Sequence, residues 1–350
     1  MNIGAQSTAD TNDVAESVPG SVGIGVVGAR SMVARLAVLP AIDASTRVHL
    51  AAAASLGGPI AEPWSAVSVE SYEAVIDHPD VSAVYIPLPN GMHEEWVKRC
   101  AAAGKHVLCE KPLAPTPGVA ARMRDIANDA GVLLAEAWMT RFDPRWTEAL
   151  RLVSTGLIGR VTEVHSTFTF TIGPEAADNY RWEPAQGGGA LLDVGIYCLG
   201  PAVQLWGPTP ATIEATAQLA PSGVDEATRA ELTWPNGQLA SISCSFIDDE
   251  AQRLVFVGTD GALTLDGDAH TGGLRAAELI HTTSDGTTST ITVPPGDPYL
   301  AMVDAFAAAI SGTSAWSRPI DESIAMLELL ERIAQTAAAA DTPEIDETHT

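Results

Sequence analysis

The sequence predicts two domains, an α/β domain with a parallel sheet followed by an α+β domain with a mostly antiparallel sheet. Three observations predict this fold. Residues 22–136 alternate short apolar runs with helical periods, which is typical of βαβ units. After about Phe142 the runs alternate polar and apolar residues instead, as half-buried strands do. Asn236 and Gly237 then separate two of these runs, which indicates a β-hairpin.

The length and composition agree with two ordinary domains. The chain has 350 residues, of which 46% are hydrophobic and 18% are charged. We place the first domain at residues 21–141 and the second at 142–340, in an arrangement that lets the terminal helices pack back on the first domain. The polar segments 1–20 and 341–350 are expected to be flexible tails.

The first domain has strand candidates between helices with clear start and stop residues. One helix covers residues 93–103 and stops at Gly104, a residue suited to the position after a helix. The next has Thr116 as its N-cap, Pro117 as its first residue and Gly131 at its end. The strand candidates are residues 22–28, 48–54, 83–86, 106–109 and 132–136.

The second domain combines helices with a longer series of strands. A helix at 145–155 ends at Gly156, residues 161–171 alternate as a strand, and a long helix follows at 188–206. The further strand candidates are residues 212–219, 227–234, 238–246, 253–257 and 262–265. The closing helices are predicted at residues 299–310 and 322–340.

Charge and cysteine usage limit the classes of partner. The chain has 19 basic and 44 acidic residues, a net charge of −25, so it repels phosphate backbones and anionic lipid surfaces. We therefore expect neither nucleic acid nor membrane as a partner. The chain also has no uninterrupted apolar run of about 18 residues, the length that would indicate a transmembrane helix. The four cysteines form no CxxC pair, which favours reduced thiols, a cytoplasmic protein and no metal site.

The first βα turn resembles a dinucleotide-binding turn with an altered glycine pattern. It reads GVVGARSMVA over residues 25–34, so Gly28 is present while Arg30 replaces the second glycine of G-x-G-x-x-G. A helix N-terminus at this point still favours a pyrophosphate, although an ordinary βα turn is an equally good interpretation of these residues alone. The expected cofactor contacts in this turn are Gly28, Arg30, Ser31 and Met32.

The end of the second strand favours NADP over NAD. An acidic residue there binds the ribose hydroxyls and repels a 2′-phosphate, but this chain has Ser55. Arg30 can supply a positive charge nearby, although residues 56–58 contain no basic partner.

The most specific motifs follow the third and fourth predicted strands. They read PLPNGMH at residues 87–93 and AGKHVLCEKPLA at 103–114, and AEAWMTRFDPRW follows at 135–146 and GGGALLDVGIYCLG at 187–200. In this order they resemble the glucose–fructose oxidoreductase/inositol dehydrogenase (Gfo/Idh/MocA) family over about residues 21–340. The resemblance implies a Rossmann domain and a substrate domain that often forms homodimers or homotetramers.

The resemblance also implies catalytic roles for three residues. Lys111 of the Glu-Lys-Pro motif resembles the lysine that contacts nicotinamide and the reacting hydroxyl, where an ammonium stabilises an alkoxide or assists proton transfer. Asp193 and Tyr197 match an Asp-x-Gly-x-x-His/Tyr pattern, which makes Tyr197 the candidate acid/base and Asp193 a substrate ligand. Four residues apart on a helix, they share a face, though such a pair without the family is more often structural.

Other positions are implied as binding residues. Arg181 resembles a substrate contact, with a salt-bridged loop arginine as the equal alternative, and His93 resembles a nicotinamide-pocket residue, with a structural histidine as the equal alternative. The remaining cofactor contacts that the resemblance implies are Pro89, Asn90, Glu110 and Lys111. Thr140 and Asp143 stand where relatives often have Tyr and His, so the resemblance implies no substrate contacts at these two positions.

These residues predict an NAD(P)-dependent dehydrogenase that acts on a hydroxyl or carbonyl of a sugar, cyclitol or related polyol. Two alternatives remain open, an NAD-dependent glycoside-cleaving enzyme of the same fold and a non-catalytic cofactor or ligand sensor. The altered glycine pattern favours the sensor, whereas Lys111, Asp193 and Tyr197 together favour the enzyme.

Overall fold

A computed structural model describes residues 20–173, 176, 178–272 and 274–340. Most of the predicted N-terminal tail and the whole predicted C-terminal tail lie outside the described residues. The described chain forms two sheets, one of five strands and one of eight. The predicted strands match observed ones to within two residues at each end, which confirms the predicted fold class.

The first sheet is parallel and has the order β2-β1-β3-β4-β5. Its short strands are almost entirely buried, as expected for a sheet with helices on both faces. The strand order reverses between β1 and β3, and open α/β sheets bind ligands outside the carboxyl ends at such a reversal. The strands are β1 Val22–Val27, β2 Val48–Ala54, β3 Ala83–Ile86, β4 His106–Glu110 and β5 Leu134–Ala137.

The two helices of this domain that were predicted with bounds begin and end within one residue of them. The Thr116 hydroxyl accepts a hydrogen bond from the Val119 N–H at 3.3 Å, and Gly131 is left-handed with φ +67°. A π-helical turn, Ala34–Val38, precedes the first α-helix. The helices are α1 Leu39–Ala44, α2 Tyr72–Asp77, α3 His93–Ala102 and α4 Pro117–Ala130.

The second sheet is antiparallel except for the parallel β6–β9 pair, and its order is β13-β12-β11-β10-β6-β9-β8-β7. The last two strands were not predicted, because they lie at one end of the sheet and are mostly polar. Only Leu279 and Val293 in them are buried, so the apolar alternation is missing. The strands are β6 Val161–Thr169, β7 Thr212–Leu219, β8 Asp225–Thr233, β9 Leu239–Ser245, β10 Ala251–Gly258, β11 Gly261–Asp266, β12 Ala277–Thr283 and β13 Thr288–Val293.

The helices of the second part pack on both sheets. Helix α6 lies against β6 and β9, α7 packs on α1 and on the turn Met139–Phe142, and α8 packs on α4 and β7. The segment Pro184–Trp206 is long and apolar enough to cross a membrane, with a hydropathy of 1.3, but 72% of that window is buried inside the protein, as in a core helix. The helices are α5 Pro144–Ser154, α6 Ile196–Trp206, α7 Pro298–Ile310 and α8 Ile320–Ala340.

Candidate active site

The turn after β1 brings the chain close to the end of β3. Gly28 has φ +90°, and a Cβ there would lie 2.7 Å from the Leu88 side chain. The Gly28 N–H donates to the Ala54 carbonyl of β2 at 3.0 Å, and the Ser31 hydroxyl accepts from the Ala34 N–H at 3.2 Å. The turn therefore ties the three strands together and opens a helix at the strand-order reversal, where first-turn N–H groups favour an anion.

Arg30 places a positive charge beside the loop after β2, which has no basic residue of its own. Its guanidinium donates a hydrogen bond to the Gly57 carbonyl and lies beside Gly57 and Gly58. Ser55, at the end of β2, is half-buried in the same loop. A positive charge and a hydroxyl group thus flank the loop where an adenosine ribose is expected to bind. Met32 follows on the first helical turn with 67% of its surface exposed.

Lys111 lies at the centre of a buried cluster of charges. It follows β4 directly, and its ammonium donates to the Asp193 carbonyl at 2.7 Å and to the Asp193 carboxylate at 3.1 Å. Arg181 pairs with the same carboxylate, its Nε lying 2.6 Å from Oδ2. Burial alone would raise the pKa of Asp193, but the charges of Arg181 and Lys111 outweigh it and hold the pKa well below its usual range. Asp193 is therefore an ionised anchor for two cations.

A π-helical turn, Leu191–Gly195, positions Asp193 ahead of α6. The preceding Gly189 has φ +111°, and a Cβ there would lie 2.2 Å from the Asp225 carboxylate. That carboxylate accepts the Leu191 N–H and the Thr228 hydroxyl, each at 2.8 Å, so Asp225 of β8 fixes the start of the turn. A side chain at position 189 would clash with Asp225, so this position of the Gly triplet requires glycine. The contact also shows that β8 of the second sheet fixes the turn that carries Asp193.

The burial of Asp225 leads to a stability prediction. Burial raises its pKa to about 6, while the hydrogen bonds from Thr228 and Leu191 lower it only in part. A carboxyl with a raised folded-state pKa stabilises the fold most below its unfolded pKa and loses that contribution as the pH rises through about 6. We expect Asp225→Asn to gain stability relative to the parent protein by on the order of 3 kcal/mol between pH 4 and pH 7.5.

Urea unfolding of both proteins at the two pH values measures this difference. Asp80→Asn, at an exposed loop position, is the control and should show no comparable change. A constant difference between parent and Asp225→Asn across this range would contradict the assigned titration.

Tyr197 lies on α6 beside the Lys111 ammonium, which is 4.7 Å from the centre of its ring. Only 6% of Tyr197 is exposed, and Trp138 and Phe168 pack against the ring with centroid distances of 6.0 and 5.7 Å. Its hydroxyl makes no hydrogen bond with any described residue. Burial first, and then the negative charges of Glu110 and Asp193, raise the pKa of Tyr197 well above its usual value, which favours the protonated hydroxyl.

Two further tyrosines reach this site and were missed in the sequence. Tyr180 lies under the Arg181 guanidinium, 4.9 Å from its ring centre, and burial and Asp193 raise its pKa. Tyr299 of α7 lies near Tyr197 and Glu110, and burial raises its pKa. Neither has a motif around it, because they come from a short 3-10 turn and from a helix late in the chain.

Glu110 supports the cluster from the first sheet. Its carboxylate accepts the Tyr85 hydroxyl at 2.6 Å and the Lys111 backbone N–H at 3.2 Å. Burial raises the pKa of Glu110, and Tyr85 and Lys111 lower it in part. Glu110 thus fixes the backbone from which Lys111 projects.

The other predicted binding residues lie in the loops around the site. His93 is fully buried, and its two ring nitrogens lie 2.8 Å from the Leu88 carbonyl and 3.0 Å from the Leu113 carbonyl, which favours the structural alternative. Asn90 donates to the Gly187 carbonyl at 2.8 Å and so joins the first domain to the Gly triplet. Pro89 begins the turn Asn90–Met92.

Thr140 and Asp143, the positions that depart from the family pattern, are buried in structural contacts. The Thr140 hydroxyl donates to the His270 carbonyl at 3.2 Å, and Asp143 pairs with Arg145 at 2.7 Å. Their side chains are therefore occupied by other residues, whereas the Tyr197 hydroxyl and the Lys111 ammonium together can protonate an oxygen and stabilise its negative charge.

Sequence models of one protein family match both parts of the chain. Residues 22–137 match the oxidoreductase family with an NAD-binding Rossmann fold, and residues 146–264 match the GFO/IDH/MocA C-terminal domain. Both models belong to the family whose motifs this sequence resembles.

Named relatives cover nearly the whole chain. The NADP⁺-dependent D-xylose 1-dehydrogenase 2 of Haloferax volcanii is 36% identical over 93% of this chain and 98% of its own. A crystal structure of KijD10, a 3-ketoreductase from Actinomadura kijaniata in complex with NADP and TDP-benzene, has a TM-score of 0.81 at 26% identity and covers 90% of this chain and 98% of its own. The aldose–aldose oxidoreductase from Caulobacter crescentus, complexed with glycerol, has a TM-score of 0.81 at 27% identity and covers 91% and 98%.

Proposed function

The chain belongs to the GFO/IDH/MocA oxidoreductase family, and we propose that it transfers a hydride between NADP and a hydroxyl or carbonyl carbon of a sugar or related polyol. One observation carries this proposal: the Lys111 ammonium lies between Asp193 and the ring of Tyr197, at the sheet edge that also carries the Gly28 turn. Its named relatives include sugar dehydrogenases and a 3-ketoreductase, which support the substrate class.

The residues present fit a dinucleotide. The close approach at Gly28 leaves no room for a side chain, and the capped helix behind it favours the pyrophosphate. Arg30 and Ser55 suit a 2′-phosphate, since no acidic side chain ends β2. The expected contacts are Gly28, Arg30, Ser31, Met32, Ser55, Pro89, Asn90, Glu110 and Lys111. When bound, the nicotinamide supplies the hydride chemistry.

The protein's own residues manage the reacting oxygen. In the reducing direction Tyr197, held protonated by burial, donates its proton to the carbonyl oxygen, and the Lys111 ammonium stabilises the charge that develops there. Asp193 keeps Lys111 and Arg181 in place, and Arg181 offers further N–H groups to substrate hydroxyls. The buried, partly apolar surroundings exclude water and strengthen these interactions.

A parallel screen tests the proposal. Aldoses, cyclitols, nucleotide-linked keto sugars and simple glycosides are incubated with NADP(H) and with NAD(H), and both the absorbance at the nicotinamide band and the release of product from the glycosides are followed. We expect net cofactor turnover with at least one sugar class. Tight cofactor binding with no turnover would favour the sensor, and cleavage of a glycoside without net cofactor consumption would favour the glycoside-cleaving alternative.

Arg30 is predicted to set the preference for NADP. Its guanidinium lies at the Gly57 carbonyl, next to the expected 2′-phosphate, and hydrogen bonds to charged groups contribute about 1.5–3 kcal/mol. We expect Arg30→Ala to weaken NADP binding by about 10- to 100-fold and to leave NAD binding nearly unchanged. Calorimetric titration with both cofactors measures the two dissociation constants.

Arg35→Ala is the matched control, because Arg35 is exposed a short way along the same helical segment. An equal loss for both cofactors would make Arg30 a general anchor of the turn. Tighter binding of NAD by the parent protein would reverse the proposed preference.

We also propose that the chain self-associates through the second sheet. The face of the sheet opposite α6 carries half-buried side chains in its central strands, such as Thr167 of β6 and the cross-strand pair of His165 on β6 and Val255 on β10. A second copy of the chain placed on this face would cover them. Light scattering is expected to give a dimer or tetramer mass at micromolar concentration, and a monomer mass would contradict the proposal.

A further inference from the structure

Glu136 is a buried carboxylate that the proposed mechanism does not use. It lies at the carboxyl end of β5, paired with Cys109 of β4, and only 1% of it is exposed. Its Oε1 accepts the Leu113 N–H at 2.9 Å, whereas its Oε2 accepts from Nε of Arg318 at 2.8 Å and from the Ser323 hydroxyl at 2.7 Å. A buried charge needs such partners, so these bonds fix the carboxylate in place.

The bond to Oε1 holds the loop that carries Lys111. Leu113 follows Lys111 by two residues, and its carbonyl lies 3.0 Å from Nδ1 of His93, which is fully buried. Buried side chains therefore contact both the N–H and the carbonyl of Leu113. Before the loop, the Lys111 N–H donates to the Glu110 carboxylate at 3.2 Å. The backbone of Lys111 is thus held on both sides.

The bonds to Oε2 support the ring of Tyr197 through two other side chains. The Arg318 guanidinium lies over the Trp138 ring, 4.0 Å from its centre, and Trp138 packs edge-on against Tyr197 at 6.0 Å. Arg318 is 5% exposed and Trp138 is 3% exposed, so close packing fixes both groups. The Tyr197 ring in turn lies 4.7 Å from the Lys111 ammonium. One carboxylate is therefore connected to both groups that handle the reacting oxygen.

We propose that Glu136 is a positioning residue that sets the distance and the angle between Lys111 and Tyr197. It acts through Leu113 and Arg318 rather than on the substrate. Lys111 follows β4 of the first sheet, whereas Tyr197 lies on α6, which packs on the second sheet, so local structure does not fix their separation. A misplacement of about 1 Å can lower a rate by about a hundredfold. The effect on the rate rests on the proposed function, whereas the surroundings of Lys111 can be measured without turnover.

Glu136→Gln is expected to lower kcat for carbonyl reduction by about 10- to 100-fold, while the dissociation constant of NADP changes by less than about threefold. Glutamine has nearly the same size, but its amide has one acceptor oxygen and two N–H donors. If the oxygen accepts from Leu113, the amide nitrogen faces the donors of Arg318, and the reverse orientation faces the Leu113 N–H. One of the two connections is lost in either case, whereas the turn after β1 is untouched. Single-turnover kinetics and calorimetry measure the rate and the affinity.

Asp143→Asn is the matched control, because it makes the same carboxylate-to-amide change in another buried pair. Asp143 is 3% exposed and pairs with Arg145 at 2.7 Å, and its carboxylate accepts hydrogen bonds from Arg145 alone among the described residues. Thermal unfolding should show a loss of stability, since a buried pair is broken, but kcat should stay within about twofold of the parent.

Arg318→Lys tests the second connection by itself if Glu136→Gln is unfolded at the assay temperature. Lysine keeps a positive charge beside Glu136, but it has no planar group to lie over Trp138. We expect kcat to fall by about 3- to 10-fold, with the affinity for NADP unchanged.

The surroundings of Lys111 are measured by NMR, because the chain has only three lysines, Lys98, Lys105 and Lys111. Protein labelled with ¹³C at the lysine ε-carbon gives three signals, and Lys111→Arg assigns the one from the active site. We expect Glu136→Gln to shift the Lys111 signal and to leave the other two in place. Asp143→Asn should shift none of them.

Three results would overturn the proposal. They are a parental kcat in both Glu136→Gln and Arg318→Lys, an equal loss of kcat in Asp143→Asn, and a loss of NADP affinity as large as the loss of kcat. If the parent protein reduces no sugar, the proposed function fails, and the Lys111 signal then decides alone. A shift in Glu136→Gln supports the positioning role, and an unchanged signal refutes it.

Discussion

Lys111→Ala is expected to lower kcat by at least about a hundredfold while the dissociation constant of NADP changes little. The Lys111 ammonium lies 4.7 Å from the centre of the Tyr197 ring, and its hydrogen-bonding partners are the carbonyl and the carboxylate of Asp193. Removing it takes away the charge that stabilises a developing alkoxide. The expected cofactor turn lies after β1, so most cofactor contacts remain. Single-turnover kinetics and calorimetry measure the two effects separately.

The same substitution also leaves part of a buried ion cluster unpaired. Arg181 still pairs with Asp193, so the carboxylate keeps one cation, but breaking a buried pair can cost about 3–5 kcal/mol. Thermal unfolding must therefore show that the variant is folded at the assay temperature. Lys98→Ala, an exposed lysine on α3, is the control. Near-normal turnover in Lys111→Ala would mean that the proton chemistry is misassigned, and a matching loss of NADP affinity would make Lys111 a cofactor anchor.

The sequence predicts those parts of the fold that local patterns determine. The buried parallel strands are continuous apolar runs, and the helices between them carry Thr116 and Gly131 as end signals, so both were found. Strands β12 and β13 were not, since they are mostly polar and only Leu279 and Val293 in them are buried, so they show no apolar alternation. The start of α6 was predicted as regular helix, but the contact of Gly189 with Asp225 and the π-helical turn depend on the second sheet.

The candidate site likewise contains residues that the sequence predicts and residues that only the folded chain brings together. Lys111, Asp193 and Tyr197 stand in recognisable motifs, and the structure brings them together. The pairing of Arg181 with Asp193 joins residues twelve apart through an irregular loop, so no periodicity indicates it. Tyr180 and Tyr299 lack any local signal, because only the folded chain brings them near Glu110. The Arg30 guanidinium donates to the Gly57 carbonyl, whereas the sequence indicated only that a positive charge could lie near the loop after β2.

Tyr197→Phe is expected to lower the rate of carbonyl reduction by about 10- to 100-fold, with a small effect on substrate KM. Phenylalanine keeps the ring contacts with Trp138 and Phe168 and the position over Lys111, so the change removes only the hydroxyl. Because burial and nearby negative charges raise the pKa of Tyr197 well above its usual value, the proton donor stays protonated across neutral pH. The parent rate of reduction should therefore be flat up to about pH 9.

Tyr180→Phe tests whether Tyr180, rather than Tyr197, is the proton donor. Tyr180 is also close to Asp193 and Lys111, and its pKa is also raised by burial, so it is the alternative proton donor. If Tyr197 is the donor, Tyr180→Phe changes kcat by only a fewfold and acts mainly on KM, because the Tyr180 ring packs 4.9 Å from the guanidinium of Arg181, the proposed substrate contact. A large kcat loss in Tyr180→Phe with near-parental Tyr197→Phe would reassign the acid. A parent profile that falls with a midpoint near pH 7 would instead point to a donor other than either tyrosine, since both hydroxyls remain protonated there.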